Sequence, residues 1–90
     1  MSERIVEVVW EDTLTSHAWN SREEMPTATW TIHSVGYVVQ DDDAGLLIVE
    51  AKGEAQPRST KDYGCATIIP RSAIREVSEL SRKRVSRHVR

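Results

Sequence analysis

The sequence predicts an all-β fold, a small five-stranded barrel over residues 1–80, followed by a basic tail at residues 81–90. Three observations point there. Apolar residues alternate with period two in the first strand-like run. Clusters of Asp, Gly, Ser and Pro separate the apolar runs. Pro70 breaks the last apolar stretch and leaves room for only one tight turn before apolar residues resume.

The first strand is RIVEVVWED. Val6, Val8 and Trp10 share one face, and Glu7, Val9 and Glu11 share the other, the pattern of a half-buried strand. TLTSHAWNSREEMPTATW follows with no clean period. It is long for a loop in a compact domain, and such loops are often functional. TWTIHSVGYVVQ resumes β character, and Gly36 within it marks a bulge or a sharp bend. DDDAG is a hairpin turn closed by Gly45, and LLIVEA is its partner strand. KGEAQPRSTKDYG reads as a second polar loop, and CATIIP as the next strand.

Pro70 has no amide hydrogen and ends that strand. RSA suffices for one 3₁₀ turn, and IREVSEL then forms a fifth strand. Four strands, one turn and a fifth strand is the order of SH3-like and Sm-like barrels, with the long loop after strand one. The competing reading makes SAIREVSELSRKRVSRHV a C-terminal helix capped by Ser72. Arg75 stands where a capping box calls for Glu, which weighs against it. A mixture, strand to about Leu80 and then a partly helical or disordered tail, remains open.

Ninety residues make one domain with a modest core, so a homo-oligomer is expected to supplement it. Trp10, Trp19 and Trp30 are expected to supply much of the buried area, with Trp10 and Trp30 in the core. Cys65 is the sole cysteine, which excludes an intrachain disulfide and a cysteine-based zinc site and suits a reducing cytoplasm. The first residues lack the apolar run of a signal peptide or membrane span. The formal net charge of −2 conceals an asymmetry. Residues 1–80 carry fourteen acidic and seven basic side chains, and the tail carries five basic and no acidic ones. Such a tail suits nucleic acid, or simply the chain's own acidic body.

No catalytic pattern stands out, and an enzyme is not expected. Ser16 and His17 are adjacent and do not face each other as nucleophile and base. His17, His33 and His88 have no ligand spacing, and Asp41 to Asp43 lack the remaining ligands of a calcium loop, so no metal and no cofactor are expected. Cys65, without a paired base, reads as a small core residue. Aromatic and basic residues share the loops instead. Trp19 stands near Arg22, and Tyr63 near Arg58 and Lys61. A planar base needs a stacking surface and a phosphate needs a cation, so these five are the candidate ligand-binding residues. The opposite expectation makes Trp19 a plug in one end of the barrel.

Several short motifs recur together here: Trp10 and Asp12 at the end of the first strand, Trp19 in the next loop, Ser34 to Tyr37, the acidic turn Asp41 to Asp43, and Ile69 to Ile74. This pattern resembles small hypothetical proteins of tailed bacteriophages, over nearly all the chain except the basic tail. The resemblance implies an accessory protein acting in the host cytoplasm. By analogy it implies a sponge that binds and sequesters a small anionic, nucleotide-type immune signal. The alternatives are an Sm-like nucleic-acid-binding module, with the 81–90 tail tracking phosphate, and a structural or protein-interaction component of a phage assembly.

Overall fold

The structure, a computed structural model, describes residues 4–15, 17–55, 60–83 and 85. Five strands follow one another: β1 (Ile5–Asp12), β2 (Trp30–Asp41), β3 (Gly45–Ala55), β4 (Thr60–Pro70) and β5 (Ile74–Glu79). They form one antiparallel sheet of order β4-β3-β2-β1-β5. Arg71–Ala73 is a single 3₁₀ turn between β4 and β5. The alternative helix starting at Ser72 is therefore ruled out, and Pro70 ends its strand as its missing donor requires. Of the tail, residues 84 and 86–90 lie outside the described residues, and 81–83 and 85 have no regular structure.

Alternation along β1 aims Val6 and Val8 into the core, with Trp10 packed against it. Leu46, Ile48 and Ile69 complete the cluster, joined at its margin by Val38, Ala73, Ile74 and Val77. No ladder joins β4 to β5 among the described residues, so the sheet is not closed. It is nevertheless curled. Pro70 and Ile74 are four Cα steps apart, at most about 15 Å. The edges of a flat five-stranded sheet would stand about 19 Å apart. The short turn therefore draws the two edges toward each other over the buried cluster.

The expected bend at Gly36 occurs further along β2. The β2–β3 register shifts between Val38 and Gln40, which leaves Val39 as the bulged residue. Gly36 serves a close approach instead. A Cβ there would stand 2.8 Å from the Val49 carbonyl oxygen and 3.1 Å from Ile48 Cβ.

The second polar loop is also corrected. Lys52 to Ala55 and Thr60 to Gly64 continue the β3–β4 ladder, so Lys61 and Tyr63 are strand residues. The β2–β3 ladder, by contrast, ends at Tyr37 and Val49. Beyond that rung the sheet divides into two hairpins, and the outer part of β3–β4 forms an arm paired only with itself. The longest dimension of the chain is 58 Å, and its radius of gyration is 18.0 Å. A compact chain of this length would have a radius near 12 Å.

Two of the three tryptophans fall outside the core. Trp30 occupies the last rung of β2, opposite Asp12, beyond the stretch that β3 covers, and is 55% exposed. Trp19 is fully exposed. Val49, although it alternates away from the core cluster, is buried.

Candidate functional site

Cross-strand register assembles the most distinctive polar feature. Lys52 of β3 lies directly opposite Tyr63 of β4, so both side chains project from one side of the arm. The Lys52 Nζ stands 4.2 Å from the centroid of the Tyr37 ring, a cation–π distance. Lys52 thus has the Tyr37 ring beneath its ammonium and Tyr63 at its cross-strand position, with about half of Tyr63 exposed. Lys61 lies two positions from Tyr63 on β4. Arg58 lies outside the described residues.

Tyr37 also floors a groove of about 610 Å³, together with Ile5 and Leu80. Arg82 and Lys83 form its basic side. The Leu80 amide donates to the Ile5 carbonyl at 2.8 Å and fixes the start of this segment beside β1. The basic tail therefore begins against an apolar floor.

A second cleft, of about 290 Å³, opens where β2 and β3 part. His33 and Val35 line it from β2, Val49 and Glu50 from β3, and Cys65 from β4. The expectation of a core cysteine is corrected. Cys65 is exposed, and its φ of 57° lies in the left-handed region that side-chain-bearing residues rarely adopt. The Glu50 carboxylate accepts from its thiol and holds the thiol pKa above its ordinary value. That favours the protonated sulfur, the less nucleophilic form. His33 Nδ1 stands 3.6 Å from Glu7 Oε2, on the face of β2 opposite Trp10.

The loop between β1 and β2 holds the other two sequence candidates. Arg22 opens a 3₁₀ turn at Arg22–Glu24. The Ser21 amide and hydroxyl both donate to Glu24 Oε1, at 3.1 and 2.7 Å, and these bonds hold the Glu24 carboxyl below the usual range. Ser-x-x-Glu is a recognised turn-starting signal, and it stands in the sequence as SREE. Trp19 packs on nothing and is no plug. Because Asp12 pairs with Trp30 and Ala55 with Thr60, loop and arm leave the sheet at the same end. Neither the groove nor the β2–β3 cleft takes a lining residue from the loop. The arm and Tyr37 are thus brought together, while Trp19 and Arg22 stand apart.

At the other end of the sheet a charge network ties four segments together. Arg4 donates to Asp41 at 2.9 Å and also to Glu79. Arg71 pairs with Asp41 and donates to the Asp42 carbonyl at 2.6 Å. The Arg4 and Arg71 guanidiniums hold the Asp41 carboxyl below its ordinary range, and Arg4 does the same for Glu79. Asp42 is lowered by the Gln40 side-chain amide and the Gly45 and Ala44 backbone amides. Asp41 and Asp42 are therefore built into a structured turn.

Among the described residues, no group of three or more His, Cys, Asp or Glu side chains is placed to hold a metal ion. Among the same residues, no helix is long and apolar enough to cross a membrane. No family model, curated protein or solved structure matches this chain.

Proposed function

We propose that this chain is a non-catalytic binding module for a small, planar, anionic ligand of nucleotide type, built on a curled sheet of SH3-like or Sm-like barrel design. The observation that carries the reading is the position of Lys52, over the Tyr37 ring and opposite Tyr63. Tyr63, about half exposed, offers a stacking surface to a base, and the Lys52 ammonium held over the Tyr37 ring brings positive charge for a phosphate. Lys61, two positions from Tyr63 on β4, and Arg58, in the sequence between β3 and β4, add cations in sequence. Trp19 and Arg22 join that ligand only in an assembly that brings loop and arm together. In the setting the bacteriophage resemblance implies, the module holds a bacterial immune signal in the host cytoplasm without turning it over.

Calorimetric titration with a panel of cyclic dinucleotides and ADP-ribose-type nucleotides tests this. At least one should bind and raise the Tm. Tyr63→Ala should then cost about 1–3 kcal/mol of binding, the range for one aromatic–base stack. If no nucleotide binds, or if Lys52→Ala and Tyr63→Ala leave affinity unchanged, the reading fails. A second reading, single-stranded nucleic acid, is favoured by Arg82 and Lys83 beside the Tyr37 groove. It requires affinity that falls steeply with salt and is lost in Arg82→Glu/Lys83→Glu.

A further inference from the structure

We infer that Trp19 of one copy seats in the Tyr37 groove of a second copy, so that the chain associates with itself through a knob and a socket at its opposite ends. The knob is the β1–β2 loop. Trp19 is fully exposed there, and Leu14 and Met25 nearby are 40% and 52% exposed. A tryptophan can bury roughly 150–250 Å² of surface, so an unburied one at a loop tip presents a large apolar area to a partner. The socket is the groove of about 610 Å³ with Ile5, Tyr37 and Leu80 as its apolar lining.

Charge complementarity selects a second copy as the occupant. The knob is acidic: residues 11–24 carry Glu11, Asp12, Glu23 and Glu24 against one guanidinium, Arg22. Hydrogen bonds from Thr29 and Thr31 hold the Glu11 carboxyl below its usual range, and those from Ser21 do so for Glu24, which keeps both ionised at neutral pH. The socket is basic: Arg82 and Lys83 line it. Acidic rim against basic rim, around an apolar centre, is the arrangement of a specific contact.

Placement explains why the contact joins two molecules. The socket lies beside Ile5, where β1 starts, and the loop leaves from Asp12, where β1 ends. Eight strand residues separate them by about 23 Å. Trp19 points into solvent and leaves its own groove open. A contact centred on one tryptophan lies at the small end of specific interfaces, so the association is weak and sensitive to salt. It needs no ligand and stands whether or not the arm binds a nucleotide.

The experiment uses the full chain in sedimentation velocity at high micromolar concentration and low salt. Two variants divide the contact: Trp19→Ala removes the knob, and Arg82→Glu/Lys83→Glu inverts the socket rim. All the altered side chains are exposed, and circular dichroism checks that both variants fold. The wild type should associate, and each variant alone should weaken association at least tenfold. An equimolar mixture should restore a complex of two chains, because the tryptophan of the socket variant meets the intact groove of the knob variant. A monomeric wild type, undiminished association in either variant, or a mixture that stays monomeric overturns the inference.

Discussion

At the β2–β3 turn, Arg71 reaches Asp41 and the carbonyls of Asp42 and Gly45, while Arg4 links Asp41 to Glu79. At the far end of the same sheet, Trp19, Trp30 and Tyr63 face solvent, and no ladder holds β3 to β2. The first end carries the cross-links between segments, and the buried cluster of Val6, Val8, Leu46, Ile48 and Ile69 lies toward it. The second end carries the exposed rings. Aromatic residues therefore serve different tasks within one small domain. Trp10 packs on the core and donates its indole N–H to Ser34 Oγ at 3.1 Å, whereas Trp19 is fully exposed and Tyr63 about half exposed.

The contrast is tested most severely by cavity formation at the closed end. Leu46→Ala and Ile69→Ala should each cost about 2–5 kcal/mol of unfolding free energy, read by urea denaturation. A loss near that of a surface substitution would mean the core lies elsewhere. Gly36→Ala should come next, at about 1–3 kcal/mol, because the new methyl would press on the Val49 carbonyl oxygen of the neighbouring strand. Trp10→Phe keeps an aromatic ring but removes the indole hydrogen bond and part of the packed volume, and should cost about 1–2 kcal/mol.

The charge network gives a smaller effect with a definite sign. Arg4 and Arg71 depress the Asp41 carboxyl and Arg4 depresses Glu79, so folding is favoured while these groups are ionised. That contribution is complete above the ordinary carboxylate values, about 3.9–4.3, and is lost as pH falls through the lower values of the folded state. The Tm should therefore drop in acid, and Arg4→Gln should lower the neutral-pH Tm by the same small amount by which it flattens that drop, since the pairs are exposed to solvent. The smallest change belongs to the open end. Trp19→Ala should leave unfolding free energy within about 0.5 kcal/mol of wild type. A larger loss would mean that the loop packs on the body.

Much of the closed end was legible in the sequence. Period two placed Val6 and Val8 in the core, the aspartate-glycine cluster placed the turn, and Pro70 placed the end of β4. The open end was less legible, because its structure owes little to apolar pattern. Lys52 to Ala55 and Thr60 to Gly64 are polar, yet they extend a ladder already set in register by Leu46 to Val49 and Ala66 to Ile69. Backbone pairing carried the strands past the point where hydrophobicity signals them. Trp30 looked like a core residue because an aromatic in a strand usually is one, and only the early end of the β2–β3 ladder exposes it. The Lys52 and Tyr37 pair depends on register between strands, which no local spacing encodes. The SREE box, by contrast, is a local signal, although no apolar period in the loop draws attention to it, and it sets a 3₁₀ turn at Arg22–Glu24.

The backbone at Cys65 bears on a hazard of every open sheet. β4 is an edge strand of eleven residues, and Ile68 on it is 61% exposed. A long, flat, apolar edge is a template on which further chains add and fibrils grow. The left-handed conformation at Cys65 breaks that template in the middle, and the β3–β4 ladder skips its rung with Glu50. What remains is a polar run before Cys65 and a short apolar run after it, stopped by Pro70. Neither offers the uninterrupted length that cross-β stacking requires. The strained residue, unfavourable for the single molecule, thus protects the solution of many.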